Sequence, residues 1–136
     1  MIGNASVSVD GFAQLDARIA GLMQIDAAPL ADALMAGARV IGDEERLLVP
    51  KRSGNLAASI VEDMYPANLP GDGFTVYIGP RTGPGRPDGW YGYLVEVGRE
   101  GVPAHPFVRP AVDMKGAEAL GVVLSRLGAH VMKQAA

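Results

Sequence analysis

Three groups of residues in this sequence are of types that do chemistry: the two histidines His105 and His130, the acidic run Asp43-Glu44-Glu45, and the arginines Arg81, Arg86 and Arg109. General acid–base catalysis needs an imidazole within hydrogen-bond reach of a partner group. His105 stands in "GVPAHPFVRPAVDM", where three prolines surround it and no acid or base lies at a matched spacing. A lone histidine there is a packing or hydrogen-bonding residue. The competing reading is a small enzymatic or ligand-binding domain that uses His105 and Arg109 around a pocket with a perturbed titrating group. His130 falls near the end of a helical pattern, where a charged imidazole favours the helix dipole.

Consecutive acids on a helix point in different directions, so Asp43, Glu44 and Glu45 read as a solvated face. A metal site would need three or four matched ligands, and neither the His-Glu-x-x-His nor the acidic calcium-loop pattern occurs. With no cysteine there is no thiolate, disulfide or cysteine-held metal. No nucleophile elbow and no phosphate loop is present. The expectation is therefore no catalytic residue, no metal and no cofactor. The stretch "GPRTGPGRPDG", Gly79 to Gly89, is glycine-rich, but its prolines remove the N–H donors that a phosphate cradle uses. It reads as a long loop whose Arg81 and Arg86 either tip a solvated hairpin or meet a phosphate backbone or a partner's carboxylates.

The elements that must position these residues follow from periodicity. Phe12, Leu15, Ile19, Leu22 and Met23 recur at helical steps after Asp10, a plausible N-cap, and predict a helix with one buried face. A second helix is expected from about Ala28 to Leu48, with Leu30, Leu34, Ile41 and Leu48 along one stripe; Gly37 and Gly42 weaken its middle. Ser53 can cap one short helical turn, and Ile60 to Tyr65 is extended. The Pro70-Gly71-Asp72-Gly73 turn then leads into a strand at "FTVYIG", its hairpin partner. "WYGYLVEVG" alternates Tyr91, Tyr93, Val95 and Val97 against Gly92, Leu94 and Glu96, which predicts a third strand ending at Gly98. A last helix is expected from Pro110 to about Lys133, with Ala117, Leu120, Leu124, Leu127 and Val131 at helical spacing. The fold class is α+β: a small, mainly antiparallel sheet of three to four strands, with N-terminal helices and a long C-terminal helix packed on it.

At 136 residues the chain is sized for one domain, with residues 1–9 as a flexible lead-in. It carries 12 Lys plus Arg against 15 Asp plus Glu, the reverse of the balance that a tight duplex-DNA binder uses. No apolar run approaches the ~18–20 residues of a membrane span, and the first residues lack the pattern of a signal peptide. A soluble, unexported chain is expected. Within "GVPAHPFVRPAVDM", Pro106 and Pro110 push His105 and Arg109 away from α geometry, so the segment is extended and stiff. Pro110 suits the first position of a helix. Phe107 is its natural apolar anchor, and a stiff segment with one anchor loses little entropy on docking.

Three stretches in this order, "VPKRSGNLAASI" (49–60), "YLVEVG" (93–98) and "AHPFVRPA" (104–111), with an amphipathic helix after them, resemble the tail-component family of tailed bacteriophages. The likeness covers roughly residues 28–135. Pro50, Gly54, Leu56, Ser59 and Ile60 match its first motif, with Ser53 where Thr is usual. Glu96 and Gly98 match the second, with Arg99 where Thr is common. Pro106, Phe107, Arg109, Pro110 and Ala111 match the third. The resemblance implies a structural virion protein, made in the host cytoplasm and placed at the head–tail junction. It would form a ring there, six-fold as in a long-tailed phage, between the head connector and the tail tube or tail terminator. DNA would pass through its lumen without being held tightly; the alternative within the same setting is a nucleic-acid contact, with Arg81 and Arg86 reaching the channel. Arg52, Glu96 and Arg109 are then candidates for polar contacts between subunits, and Phe107 for the apolar anchor.

Overall fold

A computed structural model of the chain describes residues 12–23, 27–66, 73–85 and 89–135. The Asp10 cap, the lead-in at residues 1–9, most of the 70–73 turn and Arg86 lie outside the described residues. In chain order the elements are helices α1 (Phe12–Met23), α2 (Ala27–Leu48) and α3 (Asn55–Ser59), strands β1 (Ile60–Pro66) and β2 (Phe74–Pro80), and helices α4 (Gly92–Val97) and α5 (Val108–Ala135).

The two long helices, α2 and α5, form the main pair, and small residues let them approach. Ala33, Gly37, Ala38 and Gly42 are the buried positions of α2 together with Glu45, and Ala111 and Ala119 are those of α5. A Cβ on Gly37 would lie 2.5 Å from Val123 Cγ2 and 2.9 Å from the Ala119 carbonyl oxygen, so the helix backbones meet there with no room for a side chain. The stripe Leu30, Leu34, Ile41 and Leu48 is consequently not the buried one. Its first three members are half-buried and Leu48 is exposed, because the face that touches α5 is the one that carries glycine and alanine.

β1 and β2 pair antiparallel, from Ile60 opposite Pro80 to Pro66 opposite Phe74, as the hairpin reading expected. The hairpin packs across α2. Arg46 fastens the two: Nη2 donates to the Ile60 carbonyl at 2.9 Å and to Glu62 Oε2 at 3.0 Å, while Nη1 sits 2.9 Å from Glu62 Oε1. A Cβ on Gly42 would overlap the Glu62 carboxylate, so a glycine is what lets this ion pair lie on the helix. Val49, Leu56, Ile60 and Phe107 form the apolar cluster where the end of α2, α3, the start of β1 and the lead into α5 converge.

The sheet among the described residues has two strands, not three to four, and the chain is mostly helical. The segment read as a third strand is α4. Gly92 is buried and Val95 and Glu96 are half-buried, while Tyr93, Leu94 and Val97 are exposed, an i, i+3, i+4 pattern that a helix satisfies and a strand does not. Three further expectations change. On α1, Leu15 is 51% and Ile19 45% exposed, so these two members of its expected inner face are not buried. On α5, Ala117, Leu120 and Leu124 are exposed and only Leu127 and Val131 of the expected stripe are half-buried, because Ala111 and Ala119 take the inner face. Glu45, grouped with a solvated face, is fully buried.

Candidate functional site

The three stretches singled out in the sequence meet at one elbow, where the chain leaves α4 and enters α5. It starts with two close approaches. A Cβ on Gly89 would sit 2.7 Å from Ser59 Oγ and 2.8 Å from the Arg81 carbonyl, and one on Gly92 would sit 2.5 Å from Pro80 Cγ. Glycine at both positions allows α4 to lie directly on the end of the hairpin. The Gly92 N–H donates to the Gly89 carbonyl at 3.0 Å, which closes the turn into α4. The helix then stops at Gly98, whose φ of 74° is left-handed and whose N–H donates to the Leu94 carbonyl at 2.9 Å. Residues 99–102 reverse the chain through paired Arg99 and Val102 hydrogen bonds of 3.0 and 2.8 Å, and the His105 N–H donates to the Val95 carbonyl at 2.8 Å.

Beyond this reversal, a side chain from α4 caps the start of α5. The first turn of a helix has N–H groups with no intrahelical acceptor. Here Glu96 Oε2 accepts from the Phe107 N–H at 2.7 Å and the Val108 N–H at 2.9 Å, and Oε1 accepts from the Arg109 N–H at 3.0 Å. The next residue is Pro110, which has no N–H to satisfy. The Ala111 N–H then donates to the Phe107 carbonyl at 3.3 Å, the first turn of α5. From Phe107 to Pro110, every backbone donor is either bonded to one carboxylate or absent. Pro110 thus stands third in the helix rather than first, and it removes the one donor that Glu96 does not reach. Phe107, fully buried, anchors the same turn in the apolar cluster, a burial worth ~1.5–3 kcal/mol.

The charge of Glu96 suits the place. Burial pushes its carboxyl up, but the N–H groups of Val108, Phe107 and Arg109, with the Arg109 guanidinium, together hold it below the ordinary carboxylate value. Nearby, Glu45 projects from α2 with neither carboxylate oxygen hydrogen-bonded. Burial first, then the charges of Glu96 and Glu62, push it up to about 7 against the opposing pull of Arg46. A neutral carboxyl is therefore the form compatible with this spot at moderate pH.

The remaining motif residues divide between framework and surface. Leu56 and Ile60 are in the core, Ser59 Oγ donates to the Leu56 carbonyl at 2.7 Å, and Ala111 is fully buried. Gly54, with φ 76°, begins α3 in the place expected of Ser53; Ser53 Oγ accepts only a long 3.4 Å bond from the Asn55 N–H. A Cβ on Gly98 would lie 2.7 Å from the Ala104 nitrogen. Pro50, Arg52, Pro106 and the Arg109 side chain are exposed. Glu96, a candidate for contact between subunits, is engaged within its own chain. Arg81 is likewise held on the hairpin: its guanidinium lies 4.1 Å from the Tyr77 ring centroid and 5.6 Å from that of Tyr65, whose hydroxyl accepts from Nη2 at 3.0 Å. Gly79 and Pro80 belong to β2, so the irregular stretch begins at Arg81.

Two depressions flank the elbow. One, beside α4 and the start of α5, is bordered by Arg81, Tyr93, Glu96 and Arg109. The other runs between α3 and α4 and is bordered by Leu56, Leu94, Arg99 and His105. His105 and Arg109 therefore line different depressions. His130 lies at a third, against α2, with Nε2 buried and without a hydrogen-bond partner. Among the described residues no three His, Cys, Asp or Glu side chains gather as metal ligands, and no helix is long and apolar enough to cross a membrane. Sequence reasoning missed Glu45, although the small-residue stripe Ala33, Gly37, Ala38 and Gly42 runs into it at helical spacing.

The chain matches no family model, no curated protein and no solved structure.

Proposed function

We propose that this chain is a structural protein of the bacteriophage head–tail junction, a subunit of a ring through which DNA passes between head and tail. The observation that carries the reading is the Glu96 clamp. The two stretches that resemble the tail-component family, around Glu96-x-Gly98 and Pro106-Phe107-x-Arg109-Pro110, are separate motifs, yet they form one mechanical device that fixes the direction of α5. A device of this kind serves a subunit that must present a long helix at a set angle to its neighbours.

Other features support the same reading. Trp90, Tyr93, Leu94 and Val102 leave apolar surface around the elbow, and Met114, Leu120 and Leu124 do so along α5, as suits a chain that is covered in an assembly. The acidic balance suits a lumen that lets DNA slide. The ring is six-fold, with the head connector on one side and the tail tube or its terminator on the other. The test is to purify particles from a lysate carrying a tagged copy of the gene and to label the tag for electron microscopy. Label at the neck supports the proposal; a particle-free chain with measurable turnover of a small molecule would replace it with the enzymatic reading.

A further inference from the structure

We propose that the outer face of α5 in one copy of this chain seats in the groove between α3 and α4 of the next copy. The groove has an apolar bed that includes Leu56, Tyr91, Leu94 and Val102, with Trp90 at its edge, 65% exposed. Arg52 and Arg99 also line it, both exposed and without an ion-pair partner among the described residues. Its occupant should therefore be apolar and flanked by acids.

This chain carries such a surface. Along the side of α5 that faces away from α2 lie Met114, Leu120 and Leu124, 62%, 59% and 60% exposed. Asp113 is exposed on the same side and Glu118 lies on its flank, with a 3.0 Å contact to Lys115. Gly121 and Gly128 on this face have nothing within 4 Å of a Cβ position, so the backbone is open to close approach. An amphipathic helix laid by its apolar face into an apolar groove is a recurrent docking mode, and the acids of the helix match the arginines of the groove. Groove and helix face are different surfaces, so each copy offers one and accepts the other. Such a contact runs head to tail and closes into a ring when the rotation allows. The inference rests on the ring reading and names the surfaces that would build the ring.

The absence of cysteine makes the test direct. Under oxidation at millimolar protein, a chain carrying both Leu94→Cys and Leu120→Cys should give a ladder of linked dimers, trimers and higher species. Mixing the two single variants should give linked dimers only. Arg52→Glu with Arg99→Glu, added to the double-cysteine chain, should cut the linked yield about tenfold, and Asp113→Lys with Glu118→Lys should restore it. All these positions are at the surface, and circular dichroism checks that each variant folds. Linked dimers from Leu120→Cys alone would show α5 pairing with α5 and overturn the proposal, as would the absence of linkage in the double variant. Linkage reads contact between copies whatever particle the chain serves. A protein labelled at the neck that forms no ladder would therefore sink this interface and leave the neck reading in place.

Discussion

The Glu96 carboxylate lies 2.7 Å from the backbone N–H of Phe107, a hydrogen bond across eleven residues that joins α4 to the first turn of α5. It is shared with Val108 and Arg109, so one side chain sets the angle between the elbow and a 28-residue helix. Charge-assisted bonds to backbone donors are among the stronger ones in proteins.

Removing that side chain should be felt in the isolated chain, before any assembly. Glu96→Ala leaves three helix-end donors without their acceptor and should cost roughly 3 kcal/mol in urea denaturation. Glu96→Gln retains a carbonyl acceptor and should cost about half as much. Unchanged stability in Glu96→Ala would show that the clamp contributes nothing.

Between Pro106 and Pro110, the two largest side chains should behave oppositely. Phe107→Ala empties a fully buried site and should lose ~3–5 kcal/mol. Arg109→Ala removes an exposed side chain and leaves its N–H on Glu96, so the loss should stay below ~1 kcal/mol. Equal losses would mean that the elbow is not anchored through Phe107.

Stability should fall as pH rises from about 4.5 toward 7. Glu45 holds its proton up to about pH 7 in the folded chain, against 4.5 as its ordinary value. The folded state thus binds the extra proton between those values. Its contribution is complete below about pH 4.5 and is lost as pH climbs through 7, a total of ~3 kcal/mol. Glu45→Gln should flatten this decline when urea midpoints are compared from about pH 5 to about pH 9. Glu96 acts with the opposite sign: its carboxyl is held low, so its contribution is present above the ordinary carboxylate value and is lost as pH falls through the folded one. A wild-type curve that stays level from about pH 5 to about pH 7 would contradict the placement of Glu45.

The close approach of α2 and α5 predicts intolerance at one glycine. Gly37→Leu drives a side chain into Val123 and the Ala119 carbonyl and should destabilise by ~1–3 kcal/mol or more. Gly121→Ala, on the open side of α5, should be neutral or slightly stabilising by thermal denaturation, since alanine favours a helix. A tolerated Gly37→Leu would show that the two helices stand further apart.

The long helices and the hairpin were legible because periodicity and turn residues mark them locally. The third strand failed because seven residues of alternating type fit a strand by count, whereas the contacts of Gly92 with Pro80 and of Glu96 with the start of α5 come from outside the segment. Spacing assigns the helix stripes to large residues, yet Gly37 of α2 lies against Ala119 and Val123 of α5, and the buried positions of the pair include Ala33 and Ala111. Sequence pattern does not show which of two faces a helix turns inward when the inner one is small. Glu45 stands in a charged run, and only the folded chain shows that it is buried. The motif residues themselves were found by resemblance, and the bond that relates Glu96 to Phe107 leaves no mark in their spacing.

The most direct test of the neck reading is the position of this chain in a purified particle, seen by cryo-electron microscopy of the head–tail junction. The expected image is a ring of this chain around the DNA channel between head and tail tube, with α5 of each copy leaving its elbow at the angle that Glu96 sets. Particles whose neck density is complete without this chain would contradict it.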